Sequence, residues 1–172
     1  MIRENVTISR GTASKGTTIV GSNNLLMENS HIGHDSIVGS GCIIGNSTKI
    51  AGEVTIHDYA ILSACVLVHQ FSNIGSYVMI QGGSRLNKDI PPYIIVGREP
   101  ARYSGLNIIG LRRRGFSNET IKSIHDAYRQ IYESDTIVSK AVARIKENGN
   151  IIPEVEYILN FIEKISERGI IG

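Results

Sequence analysis

No tryptophan and only three phenylalanines stand among the 172 residues. With seven tyrosines beside them, aromatics are still scarce, and this suits a fold with small interior side chains. Cysteine is limited to Cys42 and Cys65, each with apolar or small neighbours. Two such thiols make neither a disulfide framework nor a paired-cysteine metal site, and buried, reduced thiols in a cytosolic protein are expected. Charge of one sign is also lacking, since the formal net charge is +2. That balance gives no reason to expect a nucleic-acid partner. No apolar run reaches the length of a membrane span, and the opening "MIRENVTISR" holds no signal-peptide core. Proline is scarce, at four residues, whereas glycine is frequent, at 18. This mixture suits many tight turns, in one large unit or two small ones.

What the chain does contain is a period of six. Stepping by six from Val20 meets Leu26, Ile32, Val38, Ile44, Ile50, Ile56, Leu62, Val68, Ile74, Ile80 and Leu86, every one Val, Ile or Leu. Four residues after each lies a second column, mostly small or β-branched, that includes Ser30, Ser36, Cys42, Thr48, Val54 and Ala60. An amphipathic helix repeats at three and four, and a half-buried strand alternates. A strict six is the pattern of a parallel β-helix, in which short strands form flat faces, the aliphatic column points inward and the small column fits near the corners. Gly21, Gly33, Gly39, Gly45 and Gly75 directly follow the aliphatic column, where they permit backbone arrangements that a Cβ opposes. Three hexapeptides make one triangular coil, so residues 20–91 predict about four coils.

The register extends back to Ile8 and Ile2, broken at Ser14 inside "RGTASKGTT", which reads as a protruding loop. A solenoid needs capped ends, yet Met1 is already in register with no polar cap before it. Further coils, or another cover for that end, are expected. The repeat is predicted to stop at "DIPPYIIVGREPARY", because Pro91 and Pro92 cannot donate to a ladder. Residues 105–115, "GLNIIGLRRRG", read as a connector. Helical spacing follows: one helix with Ser117 as N-cap and Ile121, Ile124, Tyr128, Ile131 and Tyr132 on its apolar face, a second in "TIVSKAVARIKE", and a third opened by Pro153. The expected organisation is a mainly β protein: a parallel β-helix domain over residues 1–104, then a connector and a small C-terminal α-helical domain over residues 105–172.

The inward positions of a β-helix are filled by the stack, so chemistry must project outward. His31 and His34 of "HIGHDS", and His69 and Gln70, fall outside both inward columns. Stacking brings residues eighteen apart into line, which places His34, Gly52 and Gln70 on one column. Three readings of the histidines stay open: polar surface residues, a zinc site, or a general base. Zinc needs three well-placed imidazoles, and the spacing supplies no such triad. A carboxylate beside an imidazole can hold its productive tautomer, and Asp35 directly follows His34.

Taken together, "NNLLMENSHIGHD", "VHQF", "DIPPYIIV" and above all "GLNIIGLRRRGFS" resemble the UDP-N-acetylglucosamine O-acyltransferase (LpxA) family. The resemblance runs from Arg3 to the C-terminal helices. It implies a left-handed β-helix, a homotrimer with clefts between subunits, and a place in the cytoplasm at the first step of lipid A synthesis. It implies transfer of a 3-hydroxyacyl chain from acyl carrier protein to the 3-hydroxyl of UDP-N-acetylglucosamine, with no metal or organic cofactor and no membrane insertion. By the same resemblance His34 is the general base, Asp35 its supporting carboxylate, and the Gly52 N–H the oxyanion donor. His31, His69 and Gln70 contact substrate, Asn107, Arg113 and Arg114 hold the nucleotide, and Gly82 lies where acyl length is measured. Arginine suits the nucleotide because its guanidinium forks onto phosphate oxygens, although "RRR" is equally a solvated basic turn.

The chain also departs from the pattern. Glu53 stands where many relatives have histidine, and Ile109 where they have an acidic residue. Relatives carry further N-terminal coils, with a lysine and an aspartate that find no counterpart here. Two alternatives follow: another hexapeptide acyltransferase, or a trimeric binding or assembly module impaired by truncation. Arg112, Lys122 and Arg129 are expected to attract an acidic carrier protein.

Overall fold

Each hexapeptide folds as a two-residue strand followed by a four-residue turn, and the strands stack into three flat faces. In the computed structural model, which describes residues 1–133, 136–147, 149 and 151–172, the first face is β1 (Thr7–Ile8), β4 (His31–Ile32), β7 (Lys49–Ile50), β10 (Leu67–Val68) and β13 (Arg85–Leu86). The second is β2 (Ile19–Val20), β5 (Ile37–Val38), β8 (Thr55–Ile56) and β11 (Asn73–Ile74). The third holds β3 (Leu25–Leu26), β6 (Ile43–Ile44), β9 (Ile61–Leu62) and β12 (Met79–Ile80), followed by β14 (Ile94–Gly97) and β15 (Arg102–Leu106). All pairings except β14 with β15 are parallel. The hexapeptide reading of the architecture is therefore correct.

The aliphatic column is the core. Ile32, Ile44, Ile50, Leu62, Ile74 and Ile80 are fully buried. The small column is polar in part, and its side chains tie coil to coil. Ser36 Oγ donates to the Ala51 carbonyl and accepts from Val54 N–H, both at 3.1 Å. Thr48 Oγ1 repeats the arrangement with Ser63 and Val66. These hydroxyls are satisfied by the stack, which removes the penalty for burying them.

Two expectations need correcting in detail. The glycines after the aliphatic column do not have positive φ. The left-handed column lies two residues further on, at Asn23, Asn29, Asp35, Gly41, Ser47, Glu53, Tyr59, Cys65, Phe71, Tyr77 and Gly83. The reason for Gly21 is close approach, since a Cβ there would stand 2.7 Å from the Gly39 carbonyl oxygen. Cys42 is buried, but Cys65 is exposed, because its left-handed corner turns the side chain outward.

The repeat also ends later than expected. Leu86 pairs with Val68 in the eighteen-residue register, but Ile90 bridges Ile74 and Val96 pairs with Ile80, each sixteen residues on. Pro91 and Pro92 fall where the coil shortens, and β14 still joins the third face. The connector contains a short helix, α1 (Ile108–Arg113). The helices α2 (Asn118–Tyr132), α3 (Val138–Glu147) and α4 (Pro153–Asn160) follow as expected, with Ser117 capping α2 through Thr120 N–H at 3.0 Å. Ser134, at the end of the first expected helix, lies outside the described residues. A π-helical turn, Phe161–Ile165, continues α4. Buried Asp89 then holds the C-terminal segment, accepting from Ser166 Oγ and Arg168 N–H at 2.9 Å each. Among the described residues no helix is long and apolar enough to cross a membrane.

Ile50 packs at the centre of this stack and is fully buried. Ile50→Ala leaves a cavity with neighbours fixed by the ladder on both sides. Urea unfolding is expected to register a loss of about 3 kcal/mol. A loss below about 1 kcal/mol would mean that the coil collapses onto the gap.

Candidate active site at a solenoid corner

The corner between the first and second faces carries His34, one turn after β4, and the same corner on the next two coils carries Gly52 and Gln70. The alignment expected from the eighteen-residue period is present. Glu53 N–H donates to the His34 carbonyl at 2.8 Å, and Phe71 N–H to the Gly52 carbonyl at 3.4 Å. The His34 ring lies over the Gly52 backbone, such that a Cβ on Gly52 would stand 2.5 Å from both Cε1 and Nε2. Gly52 is buried, and among the described residues nothing accepts its N–H. A backbone donor with no acceptor among the described residues thus stands beside the imidazole.

His34 Nδ1 and Asp35 Oδ2 are 2.9 Å apart. The Asp35 side chain is 0% exposed, whereas that of His34 is 38% exposed. Asp35 occupies a left-handed corner with φ of 59°, a conformation that Asp tolerates better than most residues. Its carboxylate is gripped by the protruding loop. Thr12 N–H donates at 2.9 and 3.1 Å to the two oxygens, and Thr12 Oγ1 donates at 2.6 Å. Asp35 N–H donates to Thr18 Oγ1 at 2.9 Å. The Thr12 hydroxyl does most to hold the Asp35 carboxyl below the usual carboxylate range, at about 2; burial opposes this, and His34 and the N–H groups of Thr12 and Lys15 assist. An ionised carboxylate only accepts. The proton between it and His34 therefore sits on Nδ1, and in the neutral form of the ring Nε2 is the acceptor.

The loop explains an irregularity of register. Thr7 pairs with His31 across 24 residues, whereas Ile19 pairs with Ile37 in the ordinary register of eighteen. The additional residues leave the solenoid at the corner of His34. Sequence reasoning located the loop but missed Thr12 and Thr18. The available signal was the break at Ser14, which sits at the turn that precedes Asp35 by one coil.

The other expected residues fall in three places. His31 lies on β4, its Nδ1 2.8 Å from Thr7 Oγ1. His69 neighbours Gln70, with Nδ1 3.1 Å from the Gln70 carbonyl, and lines a groove of about 400 Å³ with Leu67, Arg85 and Glu99. These residues share the His34 side of the molecule. Gly82 does not. It sits over Ala64 at the corner between the third and first faces, where a Cβ would stand 3.1 Å from the Ala64 oxygen. Asn107 and Arg113 lie on the third face, where with Ile61, Met79, Ile95 and Leu106 they line a mostly apolar groove of about 630 Å³. Asn107 caps α1, accepting from Gly110 N–H at 3.2 Å and donating to the Tyr77 carbonyl at 2.9 Å. The Arg114 guanidinium rests 4.4 Å from the centre of the Tyr59 ring. Two of the expected carrier-binding cations are paired on their own helix, Lys122 with Asp126 at 2.9 Å and Arg129 with Glu133 at 3.5 Å, and this pairing reduces the field they present.

Comparison with known proteins supplies the context for this corner. Residues 89–171 match the family model described as UDP-N-acetylglucosamine O-acyltransferase, domain 2. Residues 17–52 match the bacterial transferase hexapeptide model. The crystal structure of the UDP-N-acetylglucosamine acyltransferase LpxA from Bacteroides fragilis superposes with a TM-score of 0.97 and 64% identity, covering 99% of this chain and 67% of that one. The Acinetobacter baumannii LpxA structure gives 0.93 and 40%, with the same coverage. The acyl-[acyl-carrier-protein]--UDP-N-acetylglucosamine O-acyltransferase of Aliivibrio salmonicida is 44% identical over 171 residues. The chain spans 66% of the length of the Pseudomonas relatives it matches at 42% identity.

Two substitutions probe the corner. Gly52→Ala places a methyl against the His34 ring, and activity is expected to fall about 100-fold while the melting temperature stays close to that of the parent. The second is Thr12→Val, which removes the hydroxyl most responsible for the low Asp35 pKa. A depressed carboxyl pKa contributes stability above the unfolded value of about 3.9, and that contribution is lost as pH falls towards the folded value. Thr12→Val narrows this window, and acid unfolding followed by circular dichroism is expected at higher pH than in the parent.

Proposed function

Because the chain belongs to the UDP-N-acetylglucosamine O-acyltransferase family, we propose that it transfers a 3-hydroxyacyl chain from acyl carrier protein to the 3-hydroxyl of UDP-N-acetylglucosamine. The observation that carries this reading is the His34–Asp35 pair at 2.9 Å, set beside the unpartnered Gly52 N–H. Nε2 of neutral His34 takes the proton of the sugar hydroxyl. The oxygen attacks the thioester carbonyl, and the negative charge that develops there meets the Gly52 N–H. Asp35 offsets the positive charge on the imidazolium and holds its orientation. Collapse of the tetrahedral intermediate breaks the carbon–sulfur bond, and the departing thiolate takes the proton from His34. Every atom is accounted for with no metal or organic cofactor.

Binding roles are assigned on the same footing. His31, His69 and Gln70 lie on the His34 side; His31 contacts substrate, and His69 and Gln70 make sugar-nucleotide and acyl contacts. Asn107, Arg113 and Arg114 serve the nucleotide from the third face, and Gly82 lies along the path of the acyl chain. These two groups lie on different sides of one solenoid, which supports a homotrimer whose sites join the His34 corner of one subunit to the third face of another. Residues 1–104 form the solenoid unit and residues 105–172 the helical unit, working in the cytoplasm at the first step of lipid A synthesis.

The test is acyl transfer from 3-hydroxyacyl carrier protein to UDP-N-acetylglucosamine, measured for the chain and for His34→Ala. General-base loss is expected to lower kcat/KM about 1,000-fold without loss of the folded assembly. Binding of both substrates with no turnover that depends on His34 would refute the enzyme reading and leave a binding module.

A further inference from the structure

The loop of residues 10–18 is fastened at two corners, not one. Thr12 grips Asp35, as described. On the next coil Glu53 occupies the same left-handed position, eighteen residues on, with the same φ of 59°. Glu53 Oε1 accepts from Ser14 Oγ at 3.3 Å, and Lys15 Nζ lies 3.5 Å from Oε2. Glu53 N–H also donates to the carbonyl of His34. Residues 12–17 of the loop are exposed. The polar contacts that this stretch makes to the solenoid fall on these two carboxylates. The Glu53 side chain is 17% exposed and that of Lys15 49%, so the acidic partner is largely withdrawn from water. Such a pair holds geometry better than a fully solvated one, whose contribution is small.

We propose that Glu53, clasped by Lys15 and Ser14, is a positioning residue for His34: it pins the loop whose Thr12 fixes Asp35 against the imidazole. The proposal rests on the reading of His34 as general base. A relay of contacts runs from Glu53 through Lys15, Ser14 and Thr12 to Asp35 and then His34. The charged and titratable side chains in it are Glu53, Lys15, Asp35 and His34. Releasing Glu53 frees the exposed loop, lets Thr12 leave Asp35, and allows the imidazole to turn away from its productive pose. Glu53 thus has a task of its own, performed with a lysine three residues after Thr12.

The test compares Glu53→Ala, Glu53→Gln, Lys15→Glu and the charge-swapped pair Lys15→Glu with Glu53→Lys in the full chain. Glu53→Ala is expected to lower kcat about tenfold, with KM for the sugar nucleotide unchanged. Glu53→Gln, which keeps the Ser14 contact, is expected to fall between it and the parent. The swapped pair is expected to recover most of what Lys15→Glu loses. Amide hydrogen exchange at Thr12 is expected to quicken in Glu53→Ala and to return towards the parent rate in the swapped pair. Parent kcat in Glu53→Ala, or a swapped pair no better than Lys15→Glu, would overturn the proposal. Exchange at Thr12 needs no turnover. Unchanged exchange in Glu53→Ala therefore refutes the clasp, whereas an inactive parent with quickened exchange in the variant refutes only the acyl-transfer reading.

Discussion

The backbone ladder between successive coils is the constraint from which the site follows. His31 N–H donates to the Thr48 carbonyl at 2.9 Å and Gly33 N–H to the Ile50 carbonyl at 2.8 Å, and equivalent bonds recur along the solenoid. Each bond holds residues of adjacent coils in an eighteen-residue register. A slip by one residue would turn the aliphatic column to solvent, and the buried hydroxyls of Ser36 and Thr48 would lose their partners. Register and core therefore enforce one another. The corner of His34 inherits that rigidity, because Gly52 lies directly beneath the imidazole and cannot move without its whole coil.

Rigid corners carry a conformational cost that the molecule turns to use. A left-handed residue at each corner is disfavoured for most side chains, by about 1–2 kcal/mol. In exchange, the residue there points away from the core. Asp35 and Glu53 both stand in this position and both meet the same loop. The loop closes over Asp35 and excludes water, while His34 beside it remains partly open to solvent. A dry carboxylate with fixed donors and an accessible imidazole is the arrangement that a general base requires.

The distribution of polar groups over the three faces has its own logic. The first face and its corner hold His31, His34 and His69, and the third face holds Asn107, Arg113 and the apolar groove around Met79. Aromatic rings of Tyr59, Tyr77 and Tyr93 stack along the corner between the second and third faces, 5.0 and 5.7 Å apart, and Arg114 covers the first ring. Asn107 holds the start of α1 against this edge. The helical segment thereby sets where the arginines stand, although the His34–Asp35 pair belongs to the solenoid.

The six-residue aliphatic repeat was enough to specify a stacked parallel β-helix, because that architecture returns the same inward position every six residues. It also aligned His34 with Gly52 and Gln70, since periodicity translates directly into stacking. The helices after Ser117 were legible for a similar local reason: caps and apolar spacing lie within a few residues of one another. What the chain's order of residues did not disclose was set by contacts between distant segments. The grip of Thr12 on Asp35 spans 23 residues and that of Ser14 on Glu53 spans 39. The two-residue shortening at Pro91 and the outward turn of Cys65 depend on corner conformation, which carries no compositional mark when Asp, Glu, Tyr, Cys and Phe all occupy it. Local pattern determined the solenoid; only the closed coils decided which loop meets which carboxylate, because that choice is made by the stack and by no neighbour in sequence.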